Sequence, residues 1–173
     1  MRIESWVGVT AVLSLLFAGV IAAEEQQYGR FQLPANVKLL HDIELAIQFI
    51  YDRSASFREQ VARIAKADNL RVTVRIDPSI PGRCRAFTII QRRGQNIRAE
   101  VHLPPSSDHA ELLAHEFEHI LEQIEGLDLQ SLARVKNSGV HEQDYAVFET
   151  DRAQAAGRVV KSETRRGGAP AAD

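Results

Sequence analysis

The sequence predicts a single α+β domain, in which a small antiparallel or mixed sheet of about three strands packs on one long helix. Two stretches with apolar residues at helical spacing come first, and a region in which apolar and charged residues alternate follows. In the second half of the chain, most apolar residues again recur at helical spacing. The chain has 173 residues, a length that suits one hydrophobic core.

The first 23 residues differ in composition from the rest of the chain. Arg2 precedes an apolar run over residues 6–21, and Ala22-Ala23 then supplies small residues. We therefore expect residues 1–23 to be a signal peptide and the protein to be exported, to a periplasmic or extracellular location. The apolar run is short for a bilayer span of about 20 residues, so no stable span is expected after cleavage. A retained N-terminal membrane anchor is the alternative, because Glu4 weakens the positive segment.

The predicted domain covers residues 24–161. It begins with two helices, over 38–51 and 54–67, where Ser54 is a suitable N-cap for the second. Three strands are predicted next, over 70–76, 85–91 and 96–103. The last two flank a polar turn and so indicate a hairpin.

A long helix is predicted over residues 109–125. Asp108 and Glu111 have the spacing of a capping box, and Gly126 stands where a glycine would end the helix. A last helix is predicted over 141–161, with small residues that would allow close approach to another helix: Ala153, Ala156 and Gly157. Residues 162–173 are polar with glycine and proline, and are predicted to form a disordered tail.

The composition argues against several classes of protein. The formal net charge of −2 gives no basic excess for nucleic acid, so no nucleic-acid partner is expected. Cys84 is the only cysteine, which excludes an internal disulfide and a thiolate zinc cluster. Any metal must therefore be bound by histidine and carboxylate side chains. The sequence does not indicate an oligomeric state.

The long helix contains His115-Glu116-Phe117-Glu118-His119, an HExxH motif. Residues four apart on a helix lie on one face, about 5–6 Å apart at Cβ, so the two imidazoles can converge on one metal ion. Glu116 lies beside that face, where its carboxylate can act as a general base toward water without binding the metal. Glu118, between the histidines, is interpreted as a solvated residue. A helix with two surface histidines is the alternative without function.

A catalytic zinc site needs a third protein ligand. No histidine occurs from residue 120 to 132, so a third histidine shortly downstream is excluded. The candidates are Asp128, His141, Glu142, Asp144 and Glu149. We favour Glu149, because it lies on the predicted last helix, whose small residues permit close docking. His141 and Tyr145 are alternatives for stabilising an oxyanion, or are structural.

The order of hairpin, HExxH helix, connection and glutamate resembles the zincin metallopeptidases of the gluzincin branch. The resemblance covers roughly residues 70–160 and implies a zincin-like fold, with Zn²⁺ bound by His115, His119 and Glu149 and with Glu116 as general base. Two departures stand out. We expect no long C-terminal subdomain that would form a far cleft wall. The usual acidic partner one turn after the glutamate is Ala153, so support for a ligating histidine is expected from Asp144 or Asp151.

Three functions follow as expectations. The first is a zinc-dependent hydrolase, a metallopeptidase that acts on a peptide or protein substrate with metal-activated water. One alternative is a non-catalytic, metal-stabilised binding domain of the cell envelope, and the other is an inhibitor-like or membrane-anchored adaptor that retains its N-terminal segment. The enzyme and the binding domain differ in whether the metal is accessible beside Glu116.

Overall fold

The computed structural model describes residues 31–40, 43–80, 85–105, 108–144 and 146–166. The expected signal peptide at 1–23, Cys84, Tyr145 and residues 167–173 of the expected tail lie outside the described residues. None of the helices within the described ranges is long and apolar enough to cross a membrane.

The chain forms one strand, two helices, three strands, two helices, a two-stranded hairpin and a last helix, in that order. Their bounds are β1 Val37–Leu40, α1 Glu44–Arg53, α2 Ala55–Ala65, β2 Leu70–Ile76, β3 Phe87–Arg93, β4 Asn96–Leu103, α3 His109–Ile124, α4 Leu129–Leu132, β5 Val140–Asp144, β6 Val147–Thr150 and α5 Asp151–Arg166. The main sheet has the order β1-β2-β4-β3, in which β1 and β4 run parallel to β2 and β3 is antiparallel at the edge. The predicted α+β class and mixed sheet are confirmed, but the sheet has four strands rather than about three.

The start of the first predicted helix is wrong. Val37–Leu40 forms β1, which pairs in parallel with β2, and α1 begins only at Glu44. Val37 and Leu39 fit a strand as well as a helix, and pairing with β2 (Val37 opposite Val72) decides between the two. Local spacing alone does not contain that long-range contact.

The predicted helix over 141–161 is also wrong in its first half. Residues Val140–Asp144 and Val147–Thr150 form a two-stranded hairpin, and α5 starts at Asp151. Ala146 has a left-handed φ of 56°, as a tight turn requires. Thr150 ends the hairpin, and its Oγ1 accepts a hydrogen bond from the N–H of Ala153 at 3.0 Å. Helix α5 then continues to Arg166, so residues 162–166 are not part of a tail.

Both ends of α2 are fixed by polar side chains. Ser54 caps its start as predicted, accepting from the N–H of Phe57 at 3.0 Å. Glu163 of α5 accepts from the hydroxyls of Ser54 and Ser56 at 2.5 and 2.9 Å. At the other end, Asn36 donates to the carbonyl of Ile64 at 2.8 Å. These contacts satisfy the unpaired backbone groups of a helix end and join α2 to α5.

The core lies between the main sheet and the helices. Phe57 of α2 stacks on Phe117 of α3 with ring centroids 5.6 Å apart. Both belong to one buried cluster with strand residues such as Leu70, Val72 and Ala99. Burying each large apolar side chain contributes about 1.5–3 kcal/mol, so the packing holds α3 firmly against the sheet.

Helix α5 approaches α3 closely at Gly157. A Cβ atom at this position would lie 2.8 Å from the carbonyl oxygen of Glu111 and 3.4 Å from the Cβ of His115. Ala153 and Gly157 are both buried there. The predicted close docking of the small-residue helix is therefore confirmed, and it occurs on the turn of α3 that carries His115.

We expect Gly157→Ala to lower the free energy of unfolding by about 1–3 kcal/mol, because the added methyl group overpacks the contact with Glu111. Helix propensity alone predicts the opposite sign, a gain of about 1 kcal/mol. Denaturant unfolding measures the difference. Ala155→Gly, at an exposed position of α5, is the control for propensity. A stabilised Gly157→Ala protein would contradict the close approach.

Candidate metal centre

Helix α3 carries the HExxH motif and spans His109–Ile124, close to the predicted bounds. Gly126 ends it with φ of 75° and an N–H bond to the carbonyl of Gln123 at 3.1 Å, as predicted. The predicted capping box is wrong. The Asp108 side chain does not cap the helix, and Glu111 instead binds Lys161 and Arg85, at 2.5 and 2.8 Å. Ion pairs to other elements outcompete the local cap.

His115, His119 and Glu149 lie together. Glu149 Oε1 is 3.3 Å from His115 Nε2 and 3.8 Å from His119 Nε2. One donor atom from each of the three side chains lies within 4.8 Å of the others. Within the described ranges, no other group of three such side chains is close enough to hold a metal ion.

Glu149 reaches this group from a strand, not from the predicted helix. It is the third residue of β6, and α5 begins two positions later. The same Oε1 atom accepts from the N–H of Thr150 at 2.9 Å, which fixes the carboxylate. Two competing candidates have other contacts: Asp128 caps α4 through Ser131, and His141, whose side chain is 59% exposed, bonds to Asp151.

The partner of His119 is Glu122, one turn further along α3. Glu122 Oε2 lies 2.9 Å from His119 Nδ1, and the residue is 1% exposed. Its other oxygen accepts from the Thr150 hydroxyl at 2.7 Å. The expected partners Asp144 and Asp151 are therefore wrong for His119. The i, i+3 spacing of His119 and Glu122 was a signal in the sequence that could have indicated this contact.

The electrostatics of the two histidines differ. Burial lowers the pKa of His115 to about 4, and the neighbouring His119 adds to this effect. Burial also acts to lower the pKa of His119, but the hydrogen bond to Glu122 and the charges of Glu116, Glu122 and Glu149 outweigh it and raise that pKa. The carboxylates of Glu116, Glu122 and Glu149 therefore lie near the two imidazoles and favour a positive charge at this site.

Glu116 is 3% exposed and accepts from the Thr88 hydroxyl at 2.7 Å. Thr88 lies on the edge strand β3, so this bond ties the motif helix to the sheet edge. Burial raises the pKa of Glu116 to about 7, although the Thr88 hydrogen bond acts to lower it. A carboxyl group with a pKa near neutrality is suited to accept and return a proton.

Glu118 is buried rather than solvated, contrary to the sequence interpretation. It is 6% exposed and accepts from Gln60 Nε2 of α2 at 2.7 Å and from Arg152 Nε of α5 at 2.5 Å. Arg152 also pairs with Glu125. Glu118 therefore joins α3 to both α2 and α5. Nothing in the local spacing indicated this role.

Comparison with known proteins finds no match to any family model, curated protein or solved structure. The resemblance to the zincins therefore depends on the HExxH motif and on the order of elements in the sequence. Chemically, the site offers two imidazole nitrogens and a carboxylate oxygen as donors, beside a second carboxyl group that can exchange a proton.

Thr150→Val should lower the free energy of unfolding by about 1–3 kcal/mol, because it removes the donor to the buried Glu122 carboxylate and the cap of α5 without changing the side-chain volume. Thr164→Val is the matched control. Thr164 is also buried, but its hydroxyl bonds only to carbonyls of its own helix, those of Val160 and Lys161, at 3.0 Å. We expect that control to change stability by less than about 1 kcal/mol. Equal losses in both variants would show that the Thr150–Glu122 bond has no special weight.

Proposed function

We propose that the protein is a zinc-dependent metallopeptidase of the zincin type. The observation that carries the proposal is the convergence of His115, His119 and Glu149 within 4.8 Å, beside the buried carboxyl group of Glu116. The three donors come from a helix and a strand that are distant in sequence, so a chance solvated pair of histidines does not account for them.

The donor set suits zinc. Two imidazoles and one carboxylate match the ligands of catalytic zinc sites, which leave a position for water. Burial keeps His115 neutral, with a lone pair available for a metal, because its pKa is about 4. A bound zinc ion would supply Lewis-acid chemistry, polarising a carbonyl group and lowering the pKa of water.

Each residue of the centre has a role in this proposal. His115, His119 and Glu149 hold the ion. Glu116 takes a proton from the attacking water and passes it to the leaving amine. Thr88 orients the Glu116 carboxylate from the sheet edge, at 2.7 Å.

Glu122 is a positioning residue. It holds the Nδ1 side of His119 at 2.9 Å and leaves Nε2 for a metal. Through Thr150 it is also tied to the residue that follows Glu149. This carboxylate supplies the support that the gluzincin pattern places one turn after the glutamate, where this chain has Ala153. Such carboxylate–histidine pairs fix the tautomer and orientation of a metal ligand.

The position of β3 supports a peptide as substrate. It is the edge strand of the sheet, and its Thr88 contacts Glu116. An extended peptide can add to a sheet edge through main-chain hydrogen bonds. A scissile bond held along β3 would then lie beside the general base.

We also propose that the protein is exported by means of its N-terminal segment.

The first test is metal content. Purified protein should bind one zinc ion per chain, and His115→Ala or His119→Ala should abolish this, since each removes one of three ligands. Elemental analysis and titration against a chromophoric chelator measure it. Protein purified without chelator that carries no zinc and takes none up contradicts the proposal.

The same titration examines Glu122. We expect Glu122→Gln to weaken zinc binding by about 10–100-fold, because the three donors remain but His119 loses its anionic partner. Glu142→Gln, at an exposed position of β5, removes the same charge and should leave the affinity unchanged.

A second test separates an enzyme from a binding domain. Glu116→Gln should keep the fold and the zinc, because Glu116 is not a ligand, and should slow peptide hydrolysis by about 10²–10⁴-fold. Mass spectrometry of a peptide library digested by each protein gives the rates, with Glu142→Gln again as control. If the Gln variant cleaves as fast as the original protein, the assigned mechanism is wrong. Zinc-loaded protein that cleaves no peptide favours a metal-stabilised binding domain.

A further inference from the structure

One face of the main sheet is not covered by α3. The side chains of Thr88 and Arg92 on β3 contact α3, at Glu116 Oε2 and at the carbonyl of Gln123. Because side chains alternate along a strand, Gln91 and Arg93 lie on the opposite face. We call this the open face. It is separated from the candidate metal centre by the thickness of the sheet.

The open face is strongly basic. Its strand positions include Lys38, Arg71, Arg75, Arg93 and Arg98. Glu100 is the single acidic side chain on this face of the four strands, which the structure describes completely. The protein as a whole has a net charge of −2, so these cations are a local concentration rather than a property of the entire surface.

Three of these arginines line a groove of about 300 Å³. Arg71, Arg93 and Arg98 share it with polar side chains from the same strands and the preceding turn: Asp68, Asn69, Gln91 and Asn96. Asn69 donates to the carbonyl of Gln95 at 2.5 Å, and Arg71 donates to the carbonyl of Leu70 at 2.8 Å. The Asn69 bond joins the turn before β2 to the β3–β4 turn, and the Arg71 bond holds that guanidinium against its own strand.

The groove carries more positive than negative charge, because three arginines and one carboxylate, that of Asp68, line it. Arg71 and Arg98 are paired positions on the parallel strands β2 and β4, and two positive charges so close together repel each other. Within the described part of the chain, no carboxylate forms a salt bridge with Arg71, Arg93 or Arg98. The arrangement therefore costs stability in the free protein, and an anion in the groove would offset that cost.

We propose that this groove binds a phosphate-bearing ligand. Guanidinium groups bind phosphate oxygens in a bidentate manner, and Asn69, Asn96 and Gln91 can add amide donors. A tetrahedral phosphate accepts hydrogen bonds in more directions than a planar carboxylate, which suits donors on several sides of a concave site. The volume is at the lower end of ligand pockets, about 300–1,000 Å³. Either a free phosphorylated molecule or the headgroup of a phospholipid has this chemistry.

The experiment uses two probes. Binding of inorganic pyrophosphate is measured by calorimetry at fixed ionic strength, and binding of phosphatidylglycerol vesicles is measured by co-sedimentation. The protein should bind at least one of the two saturably, and Arg71→Gln/Arg98→Gln should weaken binding by about tenfold or more, since it removes two charge-assisted partners. Binding of pyrophosphate assigns a soluble ligand, and binding of vesicles alone assigns a lipid headgroup.

Two controls separate the groove from other causes. Arg158→Gln/Arg165→Gln removes the same charge from exposed positions of α5 and should leave binding unchanged. His115→Ala should also bind as the original protein does, which excludes a phosphate on the metal centre. The groove variant should unfold at the same or a higher temperature at low salt, because it relieves a like-charge pair. Absence of binding to both probes, or equal weakening by the two double variants, would overturn the proposal.

Discussion

The arrangement of the candidate metal centre depends on the hydrogen bonds of one buried carboxylate, that of Glu122. It joins His119 on α3 to Thr150 at the end of the β5–β6 hairpin, at 2.9 and 2.7 Å. Thr150 in turn caps α5 and follows Glu149 directly. Burying a carboxylate without partners would cost several kcal/mol of folding free energy. The contacts of Glu122 with His119 and Thr150 avoid this cost, and they form only when the β5–β6 hairpin packs against α3.

The charges around α3 explain why its acidic residues can be buried. Glu118 pairs with Arg152, and Glu122 pairs with His119 and Thr150. Burial raises the pKa of Glu116 to about 7, so this group is only partly ionised near neutral pH. Glu149 lies against His115. Negative charge therefore gathers around the imidazole pair, and a divalent cation there would balance it. The structural network and the proposed zinc site are thus one electrostatic arrangement.

Most of the local signals in the sequence predicted the structure correctly; the Asp108–Glu111 capping box is an exception, because Glu111 binds Lys161 and Arg85 instead. The i, i+4 histidines, the Gly126 stop, the β3–β4 hairpin and Ser54 as a cap all depend on residues close together in the chain, and all are confirmed. Glu149 was also placed beside the histidines, although on the wrong kind of element.

The errors share a physical cause. Strand β1 depends on pairing with β2, more than thirty positions away. The β5–β6 hairpin replaces a helix because Glu149 and Thr150 gain partners on α3, which helical spacing does not encode. The prediction that Glu118 is solvated was wrong because Gln60 and Arg152, which contact it, come from other helices and cannot be inferred from the local sequence. Periodicity describes one segment at a time, whereas these contacts are set by the assembled core.

The most direct test of the central claim is X-ray absorption spectroscopy at the zinc edge on the loaded protein and on Glu149→Gln. We expect two imidazole nitrogens at about 2.0–2.1 Å and a carboxylate oxygen at about 2.0–2.2 Å in the original protein. In the variant, we expect an altered oxygen shell. A sulfur ligand, or a first shell that Glu149→Gln leaves unchanged, would contradict the proposed centre.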